Sequence, residues 1–348
     1  MKISRDEKKY PIILIALTIT LIFAIALFST IGTANVGVMD VFKIVVEKIP
    51  FLNRFVDMSK ITDSHRTIIW NIRLPRVILG VLVGASLSMA GAAFQGMFKN
   101  PMADPYIIGI SSGAALGATI AIILKLDYRI YNISTISVFA FLGALLTVFL
   151  VYNIARIGGS LPITNLLLAG VAIGQFFTAI MSFLMIIYDN DMNKIIYWTL
   201  GSLSGKGWEP VNRIFLLVVT VMILINFFAR DLNIMLTGDE VAQSLGVDVE
   251  KTKLYLLILC SLITSIVVSV SGIIGFVGLI IPHIARIVLG PDHRILLPAS
   301  ALLGGIFMIF ADTIARTIIS PVQIPVGIIT ALFGGPFFIY LLKRGERI

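Results

Sequence analysis

The sequence predicts an all-α, polytopic membrane protein, and three observations carry that reading. Nine segments contain no Asp, Glu, Lys or Arg: residues 11–31, 77–98, 105–124, 133–155, 157–188, 214–229, 254–285, 295–311 and 317–342. A membrane-spanning helix needs about 20 apolar residues. Only 13% of the 348 residues are charged and 58% are hydrophobic, whereas a soluble domain carries about 25% charged residues. The runs also lack the polar stripe of a soluble helix and the period-two alternation of a barrel strand.

The N-terminus, "MKISRDEKKYPIILIALTITLIFAIALFSTIG", has the outline of a signal peptide. Its apolar core is too long for one, and no convincing small-residue cleavage site follows. It is expected to be an uncleaved first span, 11–31. The next five spans fall at 75–97, 106–124, 133–155, 163–187 and 212–229. The following apolar stretch, 252–290 with its flanks, would be about 58 Å long as one helix at ~1.5 Å per residue. The hydrocarbon core is only about 30 Å thick, so the segment must fold back. "SVSGIIGFVG" supplies the break through Ser269, Ser271, Gly272 and Gly275. Spans seven to ten are therefore 252–270, 273–290, 295–315 and 324–342.

Ten spans put both termini on one side. With the termini cytoplasmic, inner segments hold 14 of the 27 Lys and Arg residues. Seven of the remaining 13 lie between Lys43 and Arg76, in or beside one long loop. Leaving that loop aside gives 14 against 6, which favours cytoplasmic termini. Within the spans, Gly80/Gly84, Gly113/Gly117 and Gly170/Gly174 have the spacing that lets helix backbones approach closely in lipid. Tight packing inside one bundle is the preferred reading, ahead of a subunit interface. Cys260, the single cysteine, reads as a small buried residue.

The polar interruptions carry the functional signal. "GDEVAQSLGVDVEK" (238–251) falls between spans six and seven, on the cytoplasmic side. Thr237 and Glu240 have capping-box spacing, Gly246 is a helix terminator, and Asp248 can cap the helix that continues into span seven. The expected product is a helix of about two turns, held at both ends, as suits a mechanical contact for a cytosolic partner. The bland alternative is an amphipathic loop at the headgroups, for which Val241, Ala242 and Leu245 form a small anchor. "FKNPMADPYIIGISSG" (98–113) is the second inner interruption, where Pro101 and Pro105 forbid continuous helix. In the third, "IPHIARIVLGPDHR" (281–294), His283 and His293 lack a third ligand, so no metal site is expected. On the outer side, Arg73 and Arg76 stand three residues apart at the mouth of span two, and Arg316 ends span nine one turn after Asp312. Three readings compete for them: a structural ion pair for Arg316, lipid-headgroup anchors, and a cationic site for an acidic protein partner.

Other chemistries find little support. "GSLSGKG" (201–207) lacks the spacing of a phosphate loop and the Ser or Thr that follows it. "YDNDMNK" (188–194) has no second acidic cluster to share metal ions with, and no H-E-x-x-H occurs. The net charge of +8 fits contact with anionic lipid. Without a long basic run or stacking array, it does not point to nucleic acid. Acidic residues are missing from the middle of nearly every span, unlike in ion-coupled carriers. Energy must then arrive from elsewhere, and the cytosolic helix is the place to receive it.

The stretches "RLPRVILGVLVGASLSMAGAAFQGMFKNPMADPYIIGISSGA", "IYWTLGSL", "GDEVAQSLGV", "GFVGLIIPHIARIVLGPDHR" and "IPVGIITALFGGPFFIYLL", in that order, closely resemble the FecCD family. These are permease subunits of ABC importers for iron–siderophore complexes, haem and cobalamin. The resemblance covers nearly the whole chain. It implies one permease domain over 1–348, with ten spans, cytoplasmic termini and inverted repeats at about 75–187 and 252–342. It implies a plasma- or inner-membrane protein that pairs with a second permease copy or paralogue, two cytosolic ATPases and an extracytoplasmic solute-binding protein. No cofactor and no enzymatic activity of its own are implied.

The family's coupling segment lies within 236–251 and maps onto Asp239, Glu240, Val241, Ala242, Gln243, Ser244, Leu245 and Gly246. It would pass the ATPases' motion into spans six to eight. The family's docking arginines map onto Arg73, Arg76 and Arg316. One departure stands out: Gln323 replaces the usual acidic residue before "IPVG", so Arg316 is expected to rely on Asp312. Gln175, Thr178 and Ser182 fall near one stripe of span five. They either line the pathway or form buried interhelical hydrogen bonds, the latter being preferred. The competing function is a secondary carrier or channel with no ATPase partner, which would not require the polar helix. The identity of the cargo is not encoded in any motif.

Overall fold

The structure, a computed structural model, describes residues 9–32, 34, 36–48, 61–126, 128–130 and 133–345. The expectation that both termini are cytoplasmic concerns ends that lie outside the described residues.

The chain begins with α1 (Tyr10–Thr30), an apolar helix opened by a proline in its first turn. A short amphipathic helix, α2 (Val38–Glu47), buries Val41 and Ile44 and exposes Val38, Met39 and Phe42. Then α3 (Asp63–Thr67), a π-turn (Ile68–Arg73) and α4 (Leu74–Met97) run together as one helix of 35 residues. After the Pro101/Pro105 interruption, a 3-10 turn (Pro105–Ile108) leads to α5 (Ile110–Ile123). A two-residue hairpin, Arg129–Ile130 with Ile133–Ser134, precedes α6 (Thr135–Ala155). Next come α7 (Ile163–Ile187), α8 (Met192–Thr199), α9 (Trp208–Phe227), α10 (Ala229–Met235) and α11 (Asp239–Ser244). The chain ends with α12 (Val249–Ser271), α13 (Val277–Leu289), α14 (His293–Thr317) and α15 (Val326–Gly345).

Among the described residues seven helices are long and apolar enough to cross a membrane, and three shorter apolar helices accompany them: Ile110–Ile123, Val277–Leu289 and Val326–Leu341. Each coincides with an expected span to within four residues at either end, except that the helix ending at Met97 begins at Asp63, twelve residues before the expected span 75–97. The two shortest, α5 and α13, start late because each follows a non-helical stretch that enters the bundle. These stretches meet: the Tyr106 hydroxyl donates to the Ile274 carbonyl at 3.1 Å and receives the Ile274 N–H at 3.4 Å. Non-helical backbone at such depth survives only where protein supplies its partners. The break expected from Ser269 to Gly275 runs from Gly272 to Phe276, and Phe276, unanticipated, takes a left-handed φ of 69°.

The core centres on α4, which lies antiparallel to α14 and against α12 and α13; almost every residue of α4 is buried. Glycines set the spacing. A Cβ on Gly84 would come within 2.1 Å of the Gly304 carbonyl of α14, and one on Gly117 within 2.1 Å of the Phe139 carbonyl of α6. The G-x-x-x-G spacing therefore serves packing inside the bundle, as preferred. Cys260 is fully buried. By contrast α7 is mostly uncovered, with Leu168, Phe176, Phe183 and Ile186 exposed.

Candidate functional site

Functional groups concentrate at the two ends of the bundle. At one end, α10 and α11 form an elbow between α9 and α12. Helix α11 exists because Gly238, at φ +122°, turns the chain sharply before it. Gly246, at φ +89°, closes it, with the Val247 N–H returning to the Ala242 carbonyl at 3.0 Å. A left-handed glycine just past the last helical residue is the ordinary way to satisfy terminal carbonyls. The Asp248 side chain accepts from the Lys251 N–H and starts α12. The expected capping box does not form. Thr237 Oγ1 turns back to the Ile234 carbonyl, and Gly238 occupies the cap position with no side-chain bond. A hydroxyl beside a preceding helix end can bond its own i−3 carbonyl as readily as a following N–H.

Of the six α11 residues only Ala242 is buried, against Met235, Val247 and Val249. Glu240, Val241, Gln243, Ser244, Leu245 and Gly246 face outward, and Leu236 extends this exposed apolar strip. Asp239 faces the bundle. Its carboxylate accepts from Lys99 at the end of α4 (2.6 Å) and from Lys253 of α12 (2.8 Å). Burial acts to raise the Asp239 pKa, but the hydrogen bonds and charges of Lys253 and Lys99 outweigh it and hold the carboxyl below its usual range. Lys253 is itself buried and reaches Glu250 at 3.3 Å, whose other oxygen accepts the Leu161 N–H from the α6–α7 turn. On α10, Asn233 donates to Asp292 (2.7 Å) and accepts the His293 N–H (2.8 Å), while Tyr10 of α1 donates to the same Asp292 (3.0 Å).

The elbow is thus fastened to α4, α12 and α14, a set that shares only α12 with spans six to eight. None of these partners has a local sequence signal, since Lys99 and Asp239 are 140 residues apart. His283 and His293 serve separate surroundings: His283 stands edge-on to Phe337, and His293 Nδ1 bonds Asn233. Among the described residues no group of three or more His, Cys, Asp or Glu is placed to hold a metal.

At the opposite end the three arginines expected to dock a partner converge on one carboxylate and one helix terminus. Arg76 grips Asp312 with Nε and Nη2 at 2.9–3.1 Å and donates through Nη1 to Gln323 at 2.7 Å. Gln323 also accepts from Ser204 at 2.7 Å. The residue that replaces the family's acid therefore holds Arg76. The expected Asp312–Arg316 pair is present but long, at 3.9 Å. Arg73 donates to the carbonyls of Ser29, Thr30 and Ala34, and Arg316 to that of Phe28. Two guanidinium groups, from the π-turn before α4 and from α14, thereby satisfy the C-terminal carbonyls of α1, where positive charge is favoured. Arg73 and Arg76 are only 5% and 7% exposed, so their side chains are committed inside the chain.

The pathway candidates Gln175, Thr178 and Ser182 share the exposed face of α7. Thr178 and Ser182 hydroxyls bond their own helix, to Gly174 and Thr178 carbonyls. The preferred reading, buried interhelical hydrogen bonds, does not hold for them among the described residues, which leave that face of α7 exposed.

Comparison with known proteins follows this geometry closely. Residues 17–344 match the FecCD transport family. The chain is 47% identical over 288 residues to the cobalamin import system permease protein BtuC of Halobacterium salinarum, covering 82% of this chain and 76% of that protein. It is 41% identical over 279 residues to the hemin transport system permease protein HmuU of Yersinia pestis (79% and 83% covered). A solved chain, described as an ABC transporter of metal-chelate type in an inward-facing conformation, superposes with a TM-score of 0.81. It is 30% identical, with 96% of this chain and 99% of that chain covered.

Proposed function

Since the chain belongs to the FecCD transport family, the integral-membrane permeases of ABC importers, we propose that it forms the path for a metal chelate such as a ferric siderophore, haem or cobalamin. The observation that carries the reading is the pinned helix α11. It presents Leu236, Val241 and Leu245 outward while Asp239 ties it to α4 and α12. A surface helix with an exposed apolar strip and a charged root is suited to receive a protein and pass on its displacement. Two cytosolic ATPases would close on ATP and carry α11 with them as a rigid body. The chain itself does no chemistry.

The rest of the assembly follows from the same frame. Ten spans, with α4–α7 and α12–α15 as inverted repeats, account for the paired non-helical entries before α5 and α13. A second permease copy or paralogue would cover the exposed face of α7, placing Gln175, Thr178 and Ser182 beside a shared pathway. A solute-binding protein would dock at the arginine end. Three guanidinium groups lie there, of which Arg76 and Arg316 share the one carboxylate of Asp312 while Arg73 holds backbone carbonyls, and the surplus charge would attract acidic lobes through the field at the surface.

The test is co-purification with candidate ATPase subunits in detergent, with and without Glu240→Lys. Capture that the reversal weakens supports the permease reading. A well-folded sample that captures no ATPase would favour a carrier that works without one.

A further inference from the structure

On the flank of the bundle at the arginine end, three membrane helices fail to close. The gap between α1, α4 and α9 is an apolar cavity of about 590 Å³, roofed by the amphipathic α2. Its walls include Ile22, Phe42, Trp70, Ile78, Trp208 and Phe215. Ile22, Phe42 and Phe215 are at least half exposed, so the cavity opens sideways, onto the face that α1 and α9 turn to the bilayer. Apart from Asn212 and the two indoles its lining is apolar, so water finds few polar partners in such a space.

The upper boundary of the cavity is marked by Trp70 and Trp208, whose rings lie 5.0 Å apart, with the Trp208 indole N–H donating to the Trp70 carbonyl at 2.7 Å. Tryptophan pairs of this kind sit at the membrane–water interface. From Trp208 to Phe215 the wall descends about 10 Å at ~1.5 Å per residue, most of one leaflet of a core ~30 Å thick.

Trp70 also forms the wall of a second cavity, of about 330 Å³, lined by Glu47, Lys48, Asp63, Arg66 and Asn71. This one is polar, and its cations are loosely held. Arg66 Nη1 stands 3.7 Å from both Glu47 and Asp63, beyond hydrogen-bond distance, and Arg66 Nε is buried with no hydrogen-bond partner among the described residues. The Lys48 ammonium lies over the Trp70 ring, 5.8 Å from its centroid. A hydrocarbon slot and a charged pocket thus share one interfacial tryptophan.

From this juxtaposition we infer that the chain binds one glycerophospholipid with an ammonium-bearing headgroup. One acyl chain fills the slot between α1 and α9. The phosphate takes Arg66 and Lys48, and the ammonium takes Glu47 and Asp63. The two carboxylates discriminate against a headgroup that is purely anionic. The lipid completes the packing that holds α1 and α2 to α4, so it acts as part of the fold.

The probe is phosphatidylethanolamine, with phosphatidylglycerol and inorganic phosphate as comparisons. The full-length protein is washed in detergent, titrated with each, and followed by native mass spectrometry and melting temperature. The expected result is one phosphatidylethanolamine per chain that survives washing and raises the melting temperature. Phosphatidylglycerol should bind about tenfold more weakly, and inorganic phosphate should give no protection. Arg66→Gln with Lys48→Gln should weaken retention about tenfold. Ala26 of α1 also lines the slot; Ala26→Phe, which plugs it, should abolish retention, while Lys194→Gln, on α8 and outside both cavities, leaves it unchanged. Non-stoichiometric lipid, equal binding of phosphatidylglycerol, protection by phosphate alone, or variants that retain lipid like the wild type would each overturn the site.

Discussion

At one end of the bundle Asp239 sits in a surface helix between Lys99 and Lys253; at the other, Asp312 sits inside α14 between Arg76 and Arg316. Both are single carboxylates between two cations, yet their surroundings differ. Asp312 and Arg76 side chains are 3% and 9% exposed, whereas Asp239 and Lys99 are 39% and 33% exposed. A buried pair is expensive to break, because the survivor is left desolvated. An exposed pair is weak, because water and salt compete with it. The arginine end therefore behaves as fixed structure, locking α1 to α4 and α14. The helix end behaves as a joint, stiffened by several modest bonds and free to meet a partner.

The largest effect that this contrast predicts is Asp312→Ala. Arg76 would lose its carboxylate inside the protein, a cost of about 3–5 kcal/mol, seen as a sharply lowered melting temperature or failed insertion. Replacing both Arg76 and Asp312 with Leu should be milder than the single change, since Arg76 is no longer left without its carboxylate and Arg316, paired with Asp312 only at 3.9 Å, keeps the Phe28 carbonyl. A single variant that melts like the wild type would erase the distinction between the ends.

Next comes Lys253→Met. The methylene stem stays packed, but Asp239 and Glu250 lose a shared donor. We expect a loss of about 1.5–3 kcal/mol in local stability, read as faster amide exchange across 238–253 with the rest of the chain unaltered. Lys99→Ala removes the more exposed partner and should change stability by only about 0.2–1 kcal/mol. An equal effect from both lysines would mean that burial does not set the stiffness of the joint.

The smallest effect is pH. The Asp239 pKa is held below its unfolded value, so its contribution is fully present above the ordinary carboxylate range and is lost as pH falls through the lowered pKa. Exchange at α11 should therefore be constant at neutral pH and quicken only in strong acid. Quickening near neutrality would point to a different group.

The sequence laid out the spans because lipid demands long uncharged runs, and those runs need no tertiary knowledge to be seen. Gly246 and Asp248 were legible for the same reason: their roles are local. The false capping box shows the limit of local reading, since Thr237 had two partners within one turn and took the earlier one. What could not be read is what depends on distance along the chain. Lys99 meets Asp239, Asn233 meets Asp292, and Gln323 serves Arg76 across 247 residues. Arg73 chose backbone carbonyls, which carry no sequence identity at all. The exposure of Gln175, Thr178 and Ser182 was hidden too, because which face of α7 the bundle covers is decided by tertiary packing.

The central claim is that α11 is the element through which ATP hydrolysis moves the permease. The most direct measurement takes the assembled complex in proteoliposomes and follows ATP hydrolysis and chelate uptake together, for wild type, Gly246→Val and Glu240→Lys. Gly246 has φ +89° and open space around it, so valine strains the turn without clashing. The account predicts that both variants insert normally and keep hydrolysing ATP while uptake per ATP collapses. Uptake per ATP equal to wild type in both variants would contradict it.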